Sequence, residues 1–250
     1  MLTPLRTALA FLTIMPVAAA TVSDDDMARS MTFFPAAGLL VGALLAALAW
    51  GGLCLGIPRL GLAVLLVAAS AWLSRALHLD GVADLCDGLG GAFEVERRLQ
   101  IMKDSHIGAF GVVGLVLLLL LKVAGLHALL AGGTAGLGLL AMVPATARLV
   151  MLVTAYRACY PRQAGTGHFV VGKISGGRLL AGGLFLLPLA WYGWSGLLLV
   201  SACLLPGLWL RLKAQTALGG VTGDVLGAVI EWSEAAGWLV AALLLAGGGG

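Results

Sequence analysis

The stretch LGLAVLLVAASAWLSRALHLDGVADLCDGLGG, residues 60–91, decides the class of this protein. Residues 60–78 are a continuous apolar run long enough for a membrane helix. The remainder carries Asp80, Asp84 and Asp87 among glycines. The chain has only 12 acidic residues in 250, so a quarter of them fall within eight positions at the end of an apparent span.

Composition agrees with the apolar run. The chain is 60% hydrophobic and 11% charged, with a mean hydropathy of +1.03. A soluble domain carries roughly 25% charged residues, so most of this surface must face lipid. The 37 glycines suit closely packed membrane helices. Cys54, Cys86, Cys159 and Cys203 are scattered without metal or redox spacing and read as apolar packing. The net charge is +3 and the basic residues are thinly spread, so no nucleic-acid partner is expected.

Apolar runs of spanning length occur at about 33–53, 60–78, 107–131, 134–155, 179–194, 196–212 and 225–246. They predict an all-α polytopic bundle of about seven transmembrane helices, forming a single membrane domain over 1–250. Residues 1–32 are expected to be an N-terminal interfacial or re-entrant segment. One basic residue and an early Pro16 argue against a cleaved signal there. Asp24–Asp26 are expected in a solvated turn. With the N-terminus in the cytoplasm, its side collects eleven basic residues: Arg6, Arg29, Arg97, Arg98, Lys103, Arg157, Arg162, Lys173, Arg178, Arg211 and Lys213. The opposite side has Arg59 alone, while Arg75, Lys122 and Arg148 fall inside spans. That asymmetry fixes the orientation. It also makes 78–106, 156–178 and 212–224 cytoplasmic, so the protein has one polar working face.

Asp80, Asp84 and Asp87 are spaced i, i+4, i+7 and share one face of a helix. Like charges repel at that spacing, and a divalent cation relieves the repulsion. Mg²⁺ takes carboxylate oxygens and completes its shell with waters and substrate phosphates. His78 and the glycines flank the group. A solvated acidic helix end and a cation path in a transporter are the alternatives. In RRLQIMKDSHIGAFG, residues 97–111, Arg97, Arg98 and Lys103 can meet phosphate, and Asp104 can add a metal ligand. Ser105 can cap the next helix, whose N-terminus favours an anion. His106 is either a base, a ligand or an interfacial residue. In TGDVLGAVIEWSE, residues 222–234, Asp224 opens a helix and Glu231 lies on nearly the same face, about 10 Å further into the span. A carboxylate at that depth is a functional candidate unless a buried arginine answers it.

HLDGVADLCDG at 78–88, IMKDSHIGAFG at 101–111, TGDVLGAVIEWSE at 222–234 and FLTIMPV at 11–17 together resemble the cobalamin synthase family, the adenosylcobinamide-GDP ribazoletransferases. Order, spacing and length match over nearly the whole chain. The resemblance implies a multi-pass inner-membrane enzyme whose site faces the cytoplasm. Such an enzyme joins adenosylcobinamide-GDP to α-ribazole or its 5′-phosphate, releases GMP and needs Mg²⁺. The site it implies has Asp80, Asp84, Asp87 and Asp104 on the metal, with these and His106 in the chemistry. His78, Arg97, Arg98, Lys103, Ser105, Asp224 and Glu231 would contact substrate. The general base, the metal count and the oligomeric state, a homo-oligomer included, stay open.

Three rival classes fit less well. DGVAD at 80–84 is similar to the start of the CDP-alcohol phosphotransferase motif, but that motif has an Arg after its Ala, where this chain has Asp84, and its second acidic half is missing here. Membrane prenyltransferases carry two Asp-rich copies where this chain has one. A transporter predicts internal repeats and centrally broken helices; the sequence shows no repeat, and its polar residues crowd one face.

Overall fold

The computed structural model describes residues 2–17 and 22–247. It contains α1 (Leu2–Leu12), α2 (Asp24–Ser30), α3 (Phe34–Cys54), α4 (Arg59–Leu73), α5 (Leu77–Gly91), α6 (Val95–Ile101), α7 (Ala109–Leu130), α8 (Leu137–Ala155), α9 (Gly176–Gly183), α10 (Trp194–Leu218) and α11 (Gly223–Gly247), joined by short 3₁₀ turns. Among the described residues there is no strand. An all-helical answer is what lipid demands, because each span must satisfy its own backbone polar groups.

Five helical stretches are long and apolar enough to cross a bilayer: Asp25–Cys54, Ala109–Leu130, Gly133–Ala155, Trp194–Leu218 and Gly223–Gly247. The count reaches six only if α4 and α5, bent by 91° at the break between them, are taken as one broken span; here α4 enters the apolar layer and α5 turns away from it. The expected count of seven therefore needs correction at 179–194. That run is not a full α-helix: α9 is a short, glycine-rich helix that passes into a 3₁₀ helix, Leu184–Tyr192, containing Pro188. The looser rise of a 3₁₀ helix still gives the whole stretch a reach of about 30 Å. Gly182 rests against Thr32 and Pro35 at the start of α3, while the Tyr192 hydroxyl rests against Gly138 at the start of α8. The segment thus runs from one end of the bundle to the other.

Two antiparallel helices, α8 and α11, form the centre. Almost every residue of α11 from Val225 to Glu234 is buried. Its Trp238 indole donates to the Leu140 carbonyl of α8 at 3.4 Å. Helices α3, α7 and α10 pack against this pair, and α4 packs on α3 and α7. Leu117 and Leu120 of α7, and Leu198 and Leu205 of α10, are exposed. Such a band of apolar side chains makes sense only against lipid.

The break between α4 and α5 positions the site. Arg75 and Ala76 have φ of 53° and 54°, a region that costs an L-residue energy and persists only where packing enforces it. Turned by this break, α5 leaves the span and lies across the N-termini of α7 and α11. The expected span at 60–78 therefore ends at Leu73, and the aspartates sit on a helix running along the working face. Glycines permit the crossing: a Cβ at Gly81 would overlap the Asp224 backbone, and one at Gly227 would lie 3.1 Å from the His78 Cα.

The N-terminal segment is two short helices. The eleven residues of α1 are too few to cross, and Phe11 stacks on Phe34 with ring centroids 5.7 Å apart. Asp24–Asp26 open α2 instead of forming the expected turn, because Ser23 and Asp26 make a reciprocal capping box. Asp25 also pairs with Arg29 at 2.6 Å.

Candidate active site

Asp80 stands between two cavities on the working face. On one side is an open groove of about 540 Å³, lined by Asp80, Asp84, Lys103, Asp104, Ser105 and His106. Leu115 and Leu119 of α7 complete its wall. On the other side is a smaller, more enclosed cavity of about 60 Å³ between α1, α5, α8, α11 and the Thr166–Phe169 turn. Asp80, His78 and Asp224 are among its lining residues.

Asp224 reaches this junction because α5 crosses the first turn of α11. The two chain segments are more than 140 positions apart, and the glycine contact at Gly81 brings them together. Burial, then the Asp224 and Asp80 carboxylates, push Asp84 up to about 7, against the pull of Arg162. Arg162 pairs with Asp224 at 2.8 Å, and the Thr222 hydroxyl lies 3.3 Å from the same carboxylate. Asp224 alone pairs with the guanidinium, while Asp84 feels its charge at longer range.

Asp87 faces elsewhere. Its two oxygens accept from the Gly108 and Gly111 N–H groups at 2.7 and 2.8 Å. It thus caps α7 from a neighbouring helix and answers the positive end of that helix. The arc shared by the three aspartates on α5 is real, but α7 lies against its far end. Asp104 is exposed and accepts from the His106 backbone N–H at 3.0 Å, with the His106 ring at 2.7 Å. These two bonds hold the Asp104 carboxyl below its usual range. Lys103, Asp104, Ser105 and His106 line the groove across from Asp84. Arg98 is occupied, donating to the Ala92 and Ala217 carbonyls at 2.9 and 3.0 Å and tying α6 to α10. Arg97 is exposed and meets Gln100.

Glu231 does not join Asp224. Its carboxylate takes Lys122 of α7 at 2.5 Å, and Lys122 also reaches Glu234 at 2.9 Å. Glu234 pairs in turn with Arg148 of α8. Two anions and two cations thus close on themselves inside the bundle, with all four side chains nearly inaccessible. Glu231 was expected at the site, with a buried arginine as the alternative; the structure supplies a lysine and gives Arg148 to Glu234. His78 lies between the two groups: its Nδ1 is 3.9 Å from Glu231 Oε1 and has no hydrogen-bond partner among the described residues.

Sequence reading overlooked two contributors. Arg162 entered only as one of the positive-inside residues, although YPRQAGTGHF at 160–169 is a glycine-rich loop with an arginine and a histidine. Lys122 was set aside as lying within a span, yet a lysine at that depth requires a carboxylate, and Glu231 and Glu234 are the two inside spans.

No three His, Cys, Asp or Glu side chains among the described residues converge closely enough to hold an ion unaided. The donor chemistry nonetheless suits Mg²⁺, which is commonly held by one or two carboxylates plus substrate phosphates and water. An electron-rich acidic junction beside a groove carrying Lys103 can receive a metal-bound pyrophosphate and can accept a proton.

A family model described as cobalamin-5-phosphate synthase matches residues 4–242. An adenosylcobinamide-GDP ribazoletransferase of Syntrophobacter fumaroxidans is 41% identical over 240 residues, 91% of this chain and 93% of its own. Proteins of the same name from Geotalea daltonii and Pseudomonas aeruginosa are 39% and 40% identical, each covering over nine-tenths of both chains. No solved structure matches the chain.

Proposed function

The chain belongs to the cobalamin-5-phosphate synthase family, and on that premise we propose that it joins adenosylcobinamide-GDP to α-ribazole, or to α-ribazole 5′-phosphate, with release of GMP. It is a multi-pass membrane transferase of cobalamin assembly. The finer reading has the protein in the inner membrane, with the Asp80 junction open to the cytoplasm. The excess of basic residues on that side supports this orientation.

The reaction is a substitution at phosphorus. A ribose hydroxyl oxygen bonds to the cobinamide-side phosphorus, and the bond from that phosphorus to the bridging oxygen breaks. GMP leaves with the bridging oxygen, and the hydroxyl proton passes to a base. Catalysis then consists mainly of positioning and charge neutralisation. Two of Asp80, Asp84 and Asp224 would hold Mg²⁺ together with the pyrophosphate. The ion supplies neutralisation of charge on the leaving phosphate. Lys103 binds phosphate oxygens across the groove. Arg162 holds Asp224 in place and limits repulsion among the acids. The carboxylate of the three left free of the metal accepts the proton, since each lies at the junction where the hydroxyl must arrive.

The observation carrying this reading is the meeting of Asp80, Asp84 and Asp224, from two distant segments, with Arg162 as the one paired cation. The direct test supplies purified protein in lipid vesicles with both substrates and measures GMP and cobalamin product. Product should form with Mg²⁺ and stop with EDTA. Equal turnover with EDTA would remove the metal from the site. No GMP from adenosylcobinamide-GDP under any condition would overturn the reaction.

A further inference from the structure

Helix α7 has no capping side chain of its own. Its N-cap is Gly108, and Ser105, expected to cap it, lies in the groove wall instead. Asp87 supplies the cap from α5. Its oxygens take the Gly108 and Gly111 N–H groups, the N-cap and N3 donors that a capping box would serve locally. We propose that this borrowed cap makes Asp87 a positioning residue: it fixes the loop 103–107 beside Asp80 and Asp84, and so places the Lys103 phosphate contact, without touching metal or substrate. The phosphate contact rests on the reaction proposed above; the tie between Asp87 and the loop does not.

The loop depends on its two ends. Residues 103–107 are all exposed. Among the described residues their side chains make no hydrogen bond beyond the loop; Asp104 and His106 bond to each other. At one end Met102 is buried and fills the space beside Gly88, where a Cβ would overlap it. At the other end a Cβ at Gly108 or Gly111 would overlap the Asp87 carboxylate. Consecutive residues of α5, Asp87 and Gly88, thus hold both ends of the loop. Asp84 stands about one turn back on the same helix, and it lines the groove together with Asp80 and Lys103. Cys86 against Gly114 and Gly90 against the Phe110 ring extend the same contact along α7.

The bonding of Asp87 separates it from a metal ligand. Both oxygens are engaged by N–H donors, at 2.7 and 2.8 Å, and the side chain is buried. The positive end of α7 is answered by this carboxylate, so that end offers no seat for a second anion. Of the side chains lining the groove, Lys103 is the one that carries a fixed positive charge to a phosphate. A serine or aspartate in place of Gly108 would cap α7 as well, yet it would leave the loop untied to α5. Taking the cap from α5 holds the phosphate contact at a set distance from the acids, and such placement is most of what a phosphoryl-transfer site must supply.

Hydrogen exchange and kinetics on the intact protein in vesicles test the assignment. Asp87→Asn turns one acceptor into a donor that opposes a backbone N–H. Amides of 102–112 should then exchange at least about tenfold faster, and those of 222–234 at the parent rate, whereas a general loss of packing would speed both. KM for adenosylcobinamide-GDP should rise about tenfold. At saturating substrates the half-activating Mg²⁺ concentration should stay within about twofold of the parent, because no metal ligand is lost. Added to Lys103→Ala, Asp87→Asn should change KM little further, since it acts through that lysine. Gly108→Ala displaces the same carboxylate without altering charge and should give the same pattern; it decides the matter if Asp87→Asn does not accumulate. The assignment is overturned if Asp87→Asn raises the Mg²⁺ requirement about tenfold or more, as for a lost ligand. It is equally overturned if exchange at 102–112 is unchanged in both variants, or if the KM effects of Asp87→Asn and Lys103→Ala multiply. In a protein that releases no GMP, faster exchange confined to 102–112 upholds the positioning and refutes the reaction alone. GMP release with exchange indifferent to both changes refutes the positioning alone.

Discussion

Seven residues along α11 separate two carboxylates in opposite situations. Asp224, at the first turn, takes the Arg162 guanidinium and stands beside Asp80 and Asp84, which have no ion-pair partner among the described residues. Glu231, about 10 Å deeper, belongs to a set in which Lys122 and Arg148 answer Glu231 and Glu234 one for one. Depth explains the difference. Inside the bilayer a charge without a counter-charge is expensive, so the deep set closes on itself. At the face, water and incoming ligands are available, and the acids can remain in excess. A charge set that balances itself holds helices together, here α7, α8 and α11. A set in excess awaits a cation.

The comparison breaks most visibly at Lys122. Lys122→Met leaves Glu231 buried without its partner and should cost about 3–5 kcal/mol, enough to remove most folded protein from the membrane. Restoring neutrality with Lys122→Met and Glu231→Gln together should recover most of the folded yield, a strongly non-additive cycle. The measurement is thermal unfolding in detergent, alongside GMP release. If the neutral pair folds well but turns over nothing, Glu231 has a part in the reaction beyond packing, and His78, 3.9 Å away, is its route to the site.

At the face the signs reverse. Asp84→Asn and Asp224→Asn should each lower turnover by two to three orders of magnitude, about 3–4 kcal/mol of barrier. Without metal, Asp84→Asn should unfold at the same or a higher temperature than the parent, because it relieves repulsion. A clear fall in unfolding temperature would mean that the face acids are structural too, and that the contrast with the deep set is false.

The same contrast explains what could be read from the sequence. Most of the spans and the three polar islands were legible because membrane helices announce themselves by long apolar runs, and because polar residues are scarce in this chain. The joining of 78–91 to 222–234 was legible from the placement of both on one side. The 91° break after Leu73 was not, because Ser74, Arg75 and Ala76 include neither glycine nor proline. Hence the equal treatment of Asp80, Asp84 and Asp87: helical spacing gives the arc they share but not which neighbour stands at each end of it. The partner of Glu231 was hidden for a related reason. Buried pairing depends on helix adjacency, and α7 and α11 are more than 90 positions apart in the chain.

Lys103 offers a smaller effect that sharpens the comparison. It is exposed and lines the groove rather than a closed ion-pair set. Lys103→Ala should raise KM for adenosylcobinamide-GDP about tenfold, the loss of one charge-assisted contact, with little change in unfolding temperature. A change in membrane orientation with KM unaltered would return Lys103 to the topology signal.

The smallest effect is in pH. Asp84 is raised from 3.8 to about 7, chiefly by burial and by the Asp224 and Asp80 carboxylates. A raised carboxyl binds its proton more tightly when folded, so this group's contribution to stability is fully present below the unfolded value. That contribution falls as pH rises from about 4 to about 7, and is flat above. Metal binding runs the other way, because a ligand must lose its proton first. The Mg²⁺ concentration that half-activates the enzyme should therefore fall about threefold between pH 6.5 and 7.5, as expected for one proton leaving near 7. Asp224→Asn removes a neighbouring negative charge and should move that inflection to lower pH in Mg²⁺-dependent thermal stabilisation, where no turnover is required. Asp84→Asn should flatten the inflection altogether. If it persists in Asp84→Asn, another group is titrating. If the parent shows none, the excess of acid at the face does not await a cation, and the difference between the two ends of α11 would reduce to solvent exposure.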